Sequence, residues 1–578
     1  MPNMKAPARL ATAVFASLMF ASCPGAGIGP DGGDVPATEP WGVTGSAGGS
    51  VSIGTNSLPS HFRSWDTDDS VVTTVLNAPI IRRNPQTLEF EPGLAETYSI
   101  SGGATTITVT LRAGLTWSDG EVLDANDVIF SATQLYQDSN VDASDSLEVD
   151  GQPTSWQLID SRTYRVTTPV PYAALEDLAS IPVAPEHIVS PVLSIGASEV
   201  NSMWPQTLGP TEFVGSGPFR IKSAAAAGEL QLERNPNYYE TDIEGTALPY
   251  LDSITIVEGD PAELVANGTV DLGPLDRYFV DSVPGGVSTY TIGPSVSSTF
   301  LAINQNPIEG GGDAGIPEPV VTWLQTEDFR VALAHIINRD RIITEIFDDH
   351  GEPLYSPIHP SSPFYWTGSA SAAPAYDPAA ANALLDALGW TDGDLDGIRE
   401  DSSGNPIELT LATNAGNTER EDMIAIIAEE ADAIGVSITT SAIDFDSLVD
   451  QLVSTYDWEL ILVGLFQSLD PVPSADNFFP SSGNLHVSEP NQSSPRWPWE
   501  QTIDDAWEAA ATTTDIAARK AEYQTIQQTW IGAAPIIYTA TRTDYLGAPA
   551  TLGNVDTAYL HPFPGFGWEA LIARIYVK

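Results

Sequence analysis

Residues 91–136 read EPGLAETYSISGGATTITVTLRAGLTWSDGEVLDANDVIFSATQLY. Within them Ile107, Val109 and Leu111 alternate with Thr108 and Thr110, the period of two that a half-buried strand needs. Ser118-Asp119-Gly120 follows as a turn, with glycine where positive φ is favoured. Asp124 stands where a helix N-cap belongs, and Asp127 three residues on suits the positive helix end. Val128, Ala132, Leu135 and Tyr136 then recur at helical spacing. The stretch predicts a strand, a turn and a capped helix. It explains folding and carries no chemistry by itself.

The rest of the chain sets wide bounds. At 578 residues it is too long for a single core. Hydrophobic residues make up 42%, ample for globular packing, and the net charge is −54. Lysine occurs only at Lys5, Lys222, Lys520 and Lys578, whereas aspartate and glutamate are spread along the chain. That even spread reads as a solvated acidic shell, tolerable where salt screens it, rather than as a tail. Steering of cationic ligands is the functional alternative. Phosphate binding needs basic patches and there are none, so nucleic acid is excluded as a partner.

The first residues read as an address. Lys5 and Arg9 form a basic start, and Leu10 to Phe20 is an apolar run of signal-peptide length, well short of the ~20 residues a spanning helix needs. The single cysteine follows at once in Phe20-Ala21-Ser22-Cys23, which resembles a bacterial lipobox with phenylalanine in place of the usual leucine. Residues 1–23 are therefore expected to be a lipoprotein signal peptide, with Cys23 as the lipidated residue. Residues 24–50, rich in Gly, Pro and Ser, are expected to be a flexible tether. No second cysteine exists to form an intrachain disulfide.

Further phrases extend the opening stretch. They are Ile181-Pro182-Val183-Ala184-Pro185-Glu186-His187-Ile188, and Val214-Gly215-Ser216-Gly217-Pro218-Phe219-Arg220 leading into LQLERNPNYY at 230–239. Later come DFRVALAHIINRDRIITEIF at 328–347, DPAAANALLDALGW at 377–390, and the spacing Arg519, Tyr523, Gln527. In this order, and with Pro92-Gly93-Leu94-Ala95-Glu96 through Ser131, they resemble the extracytoplasmic solute-binding proteins of ABC importers, family 5, the peptide/nickel type. The resemblance implies an α/β fold of the type II periplasmic-binding-protein kind: two lobes, two hinge strands and an extra subdomain. Lobe one would take 51–79, 209–299 and 536–578, with the extra subdomain at 80–208; lobe two would take 300–535. Gly215 and Gly217 are read as backbone turns where the chain recrosses between lobes. The family resemblance also implies ABC transporter permease subunits as partners, a lipid anchor at the outer face of the cytoplasmic membrane, and a closing motion on the ligand.

The same resemblance suggests where a ligand is held. Strand Val51–Asn56 would end on the cleft floor at Asn56, Ser57 and Leu58. After the apolar strand 458–465, Phe466, Gln467 and Asp470 fall in the family's loop, where an aspartate pairs with a peptide's α-amino group. An Asp470-Pro471 turn is the structural alternative. Dipeptide binders add an arginine for the α-carboxylate after an earlier strand; here that strand, Leu409 to Thr413, is followed by Asn414-Ala415-Gly416-Asn417, and Arg420 falls in a helix. Longer oligopeptides are therefore favoured, with oligosaccharides, opine-like solutes or nickel complexes as alternatives. Phe364, Tyr365 and Trp366 suit either side-chain pockets or the core.

One loop asks for separate weighing. Asp392, Asp394 and Asp396 with Gly397 copy the start of an EF-hand loop, Glu400 supplies position nine, and Ser403 replaces the closing glutamate. A structural calcium ion is the functional reading, and an acidic surface loop the plain one. No other cofactor is expected. The rival class is a secreted hydrolase, but there is no HExxH, Walker loop, dinucleotide fingerprint or CxxC, and the seven histidines are scattered. No pair of carboxylates is brought together to suggest a glycosidase.

Overall fold

The computed structural model describes residues 43–65, 71–84, 88–143, 147–209, 212–283, 285–307, 315–555 and 572–578. The signal peptide, Cys23 and residues 24–42 lie outside these. Residues 43–50 do not behave as a tether: the Val43 N–H donates to Asn554 Oδ1 at 3.1 Å and the Gly48 N–H to Tyr250 O at 2.8 Å. The described chain forms two compact units, one of residues 43–293, Ala511–Ile516 and Asp544–Lys578, the other of Pro294–Ala510 and Ala517–Thr543.

In the first unit, β1 (Ser50–Thr55) buries Val51 and Ile53 and leaves its other face half exposed. The chain then builds the extra subdomain: β2 (Ala95–Ser101), β3 (Thr106–Leu111), α1 (Ala125–Phe130), β4 (Ser155–Asp160), β5 (Thr163–Thr167) and α2 (Glu186–Leu193). It returns with β6 (Phe219–Ala226), β7 (Glu229–Arg234) and β8 (Ser253–Glu258). The returning strands complete a sheet ordered β1-β8-β7-β6, with β1 and β8 parallel, and the subdomain is an antiparallel sheet ordered β2-β3-β5-β4. The alternation read from sequence holds, because Ile107, Val109 and Leu111 are buried in the subdomain core with Tyr164 and Val166.

The quoted phrases of this unit, at 91–136, 181–188 and 214–239, are parts of one knot. Asp124 caps α1, accepting from the Asn126 N–H at 2.8 Å, while Asp127 Oδ2 accepts from the Asp124 N–H at 2.9 Å, a reciprocal capping box. Asp127 Oδ1 also accepts from the Glu186 N–H at 2.9 Å, and burial pushes its carboxyl up to about 6. Ser131 Oγ accepts from the Ala184 N–H, and His187 pairs with Asp119 at 2.9 Å. Ser118 and Gly215 exchange two hydrogen bonds, and Asn237 donates to Trp117 O at 3.1 Å. Gly215 and Gly217 do not mark a crossing between lobes. They lie against the backbone of Leu76 and Asn77, where a Cβ on either would collide, so they are glycine for close approach within this unit.

The passage between the units begins in β9 (Val287–Pro294). The second unit contains β10 (Ser297–Ile303), β11 (Glu408–Asn414), α3 (Thr418–Asp432), β12 (Ser437–Ile443), β13 (Leu460–Phe466), α4 (Pro498–Ala511), α5 (Ile516–Ala533) and β14 (Ile536–Tyr538). Its sheet is ordered β12-β11-β13-β10-β14; β11, β12 and β13 run parallel and β10 runs against β13. Because β14 pairs with β10 (Tyr538 opposite Phe300), it belongs here and not to lobe one as the boundary at 536 implied. The return strand is β15 (Ala540–Pro549), which crosses at Thr543/Asp544. Two crossing strands were expected; the segment Ala511–Ile516 adds a further passage.

Candidate functional site

Parallel strands of an open α/β sheet send their loops to one edge, and ligands bind outside those carboxyl ends. In the second unit that edge is formed by Asn414, Ile443 and Phe466, the last residues of β11, β12 and β13, with Ser297 of β10 opposite Phe466. Phe466 is 53% exposed there, unusual for an aromatic that ends an otherwise buried strand. Gln467 follows, its N–H held by Val296 O at 2.9 Å. Phe445, the first residue of the helix after β12, is likewise exposed.

Arg420 comes to the same edge. It sits in the first turn of α3, where the N-cap Asn417 accepts from its backbone N–H at 3.1 Å. Its side chain reaches back, and Nη1 donates to Asn414 Oδ1 at 2.9 Å. The guanidinium lies on Gly464 of β13, where any Cβ would overlap Nη2. Burial lowers its pKa below the ordinary arginine value. Its hydrogen-bonded side-chain partner among the described residues is a neutral amide, in a chain with 77 carboxylates. A half-buried planar fork of this kind is suited to a carboxylate. The loop after this strand holds no arginine, and the tertiary fold supplies one from the helix.

Asp470 is elsewhere. It is 0% exposed, and Nη2 of Arg519 of α5, 1% exposed, lies against both its oxygens and donates to Oδ1 at 2.5 Å. Tyr523 Oη donates to the same Oδ1 at 3.2 Å and the Val472 N–H at 3.0 Å. Although burial works against its charge, Asp470 holds the Arg519 pKa above the ordinary value. The carboxylate assigned to a ligand amine is thus already neutralised inside the unit, and the Asp-Pro turn is the reading the geometry supports. Phe364 is also interior, its ring 4.6 Å from the Arg519 Cζ. Tyr365 and Trp366 are half-buried.

In the first unit Asn56 and Ser57 are exposed at the end of β1, but Leu58 is 6% exposed and packs in the core cluster, so its side chain is withdrawn from ligand. In the acidic loop, ligand oxygens of Asp392, Asp394, Asp396 and Glu400 all lie within 4.8 Å of one another. Gly397 has φ +100° there, and its N–H donates to Asp392 Oδ2 at 3.1 Å. The donor set, all carboxylate oxygen, fits calcium.

The model of the bacterial extracellular solute-binding proteins, family 5, matches residues 89–485. The chain belongs to this family. A probable ABC transporter-binding protein of Deinococcus radiodurans is 30% identical over 501 residues, 80% of this chain and 81% of that one. The oligopeptide-binding protein AppA of Bacillus subtilis is 23% identical, over 89% and 90% of the two chains. Its solved structure, in complex with a nonapeptide, superimposes with TM-score 0.64 at 20% identity, covering 92% of this chain and all (100%) of that one. The ABC transporter substrate-binding protein CtaP of Listeria monocytogenes gives TM-score 0.71 at 22% identity, over 92% and 100%. The fold is therefore the type II periplasmic-binding-protein fold, with the extra subdomain in the first unit. Among the described residues no helix is long and apolar enough to cross a membrane.

Proposed function

We propose that this solute-binding protein captures oligopeptides outside the cytoplasmic membrane and passes them unaltered to the permease subunits of an ABC importer. The carrying observation is Arg420. A half-buried guanidinium, with no carboxylate bound to it in the described structure, is suited to a peptide's terminal carboxylate, while exposed Phe466 offers an apolar surface to a side chain. The sequence relative AppA, an oligopeptide-binding protein, supports peptides; the fold by itself does not separate them from sugars, since a binding protein in complex with stachyose superimposes with TM-score 0.67. Thermal-shift screening of peptide and oligosaccharide libraries, with analysis of the recovered ligand, tests the reading. Peptides that stabilise the protein and return intact are expected; stabilisation by sugars alone, or cleaved products, would overturn it.

Attachment through diacylglyceryl on Cys23 belongs to the same proposal, with more than one acyl chain, since a single chain binds a membrane only marginally. Mass spectrometry of the native N-terminus should find the lipidated cysteine, and an unmodified mature chain beginning beyond Cys23 rules it out. The acidic loop is proposed as a structural calcium site, supported by the convergence of its four carboxylates. Calcium added after chelation should raise the melting temperature of the native sequence and leave that of Asp392→Ala/Asp394→Ala unmoved. An equal response from both would remove calcium from this loop.

A further inference from the structure

Helix α5 presents Arg519, Tyr523 and Gln527 along one face, each a turn from the next. All are buried, and between them they fasten two other pieces of chain. Gln527 Nε2 donates to Phe364 O at 3.0 Å, and its Oε1 accepts from the Trp366 N–H at 3.0 Å and from Ser356 Oγ at 2.7 Å. Arg519 and Tyr523 hold Asp470. Asp470 in turn shapes its own loop: its carboxylate accepts from the Val472 N–H, its carbonyl accepts from Ser468 Oγ at 2.7 Å, and the preceding Leu469 O accepts from Ser362 Oγ. The loop that leaves β13 is thus pinned at the strand by Gln467 and Val296, and at its far side by one buried ion pair. Phe466 and Gln467 lie at its strand end.

We propose that Arg519 is a positioning residue of the ligand site: by fixing Asp470 it sets the loop that aims Phe466 and Gln467 at the carboxyl edge of the sheet. This rests on the reading that a peptide binds at that edge. Arg519 differs from the other deeply buried arginines of the unit. Arg330 donates to Ala533 O and Leu324 O, and Arg339 to Leu354 O and Tyr538 O. None of those carbonyls belongs to the loop, so these arginines secure the same interior without touching it. A single nitrogen, Nη2, meets both oxygens of Asp470 while the planar guanidinium lies against the Phe364 ring, and a lysine ammonium keeps the charge without that plane.

The full-length protein, its Arg519→Lys variant and an Arg330→Lys control are compared in melting temperature and in affinity and dissociation rate for a peptide from the screen. Arg519→Lys should weaken binding tenfold or more, chiefly through faster dissociation. Arg330→Lys should lower the melting temperature comparably and leave affinity within twofold. If Arg519→Lys does not fold, the neutral pair Asp470→Asn/Arg519→Gln takes its place with the same expected loss. Wild-type affinity in the folded variant, or affinity losses that simply follow the melting temperature in both, would overturn the inference while peptide binding by the wild type stands. A wild type that binds no peptide overturns the functional reading, and this inference with it.

Discussion

Asp470→Ala is expected to cost the second unit about 3–5 kcal/mol of stability, the loss typical when one partner of a buried ion pair is removed. Arg519 would remain 1% exposed with no counter-charge, and Tyr523 would lose its acceptor. Burial of an uncompensated guanidinium, more than the lost hydrogen bonds, makes the effect large. Urea unfolding of the purified variant at neutral pH measures it as a lowered midpoint. The alternative role, a carboxylate free to receive a ligand amine, leads to the opposite pattern: little change in stability of the ligand-free protein. A loss under about 1 kcal/mol would speak for that role and against the buried pair.

The second large effect concerns salt. With 77 acidic and 23 basic residues the folded chain repels itself at −54. Several of its cations are spent inside: Arg82 and Arg574 both hold Glu240, whose carboxyl stays below the ordinary range despite burial, and Arg519 holds Asp470. The basic residues that remain are far outnumbered by the acidic ones. Raising NaCl from 0.1 to 1 M shortens the screening length from ~10 to ~3 Å, so the melting temperature should climb steeply across that range. The penalty of Asp470→Ala should barely move over the same range, since a buried pair is poorly screened. A flat melting curve up to molar salt would reject the view of the acidic shell as an adaptation to a salty medium.

What could be read from the sequence was what is local. The alternation of Ile107, Val109 and Leu111 and the cap at Asp124 both describe neighbours in the chain, and the structure carries them unchanged. The family resemblance extended this to the fold, because its phrases at 91–136, 181–188 and 214–239 tie the first unit together. Site residues were less legible. Asp470 finds its partner 49 positions away on α5, and only the helical spacing of Arg519, Tyr523 and Gln527 hinted that those side chains act together. Arg420 was set aside because it lies in a helix, and nothing along the chain shows that this helix lays its guanidinium on Gly464. Leu58 was placed with its polar neighbours, though a leucine beside a strand end more often turns into the core, as it does here. Each miss concerns a contact between segments, and hydrophobic period and capping chemistry are blind to those.

The central claim is that the carboxyl edge of the second unit holds a peptide by its terminal carboxylate through Arg420. Titration calorimetry tests it most directly, with one peptide as the free acid and as its C-terminal amide, against the native protein and Arg420→Ala. Losing one charge-assisted bond should weaken binding of the amide to the native protein by about 1.5–3 kcal/mol, roughly ten- to a hundredfold, and the difference between acid and amide should vanish in Arg420→Ala. Equal affinity of the native protein for acid and amide, or the same penalty in both proteins, would contradict it.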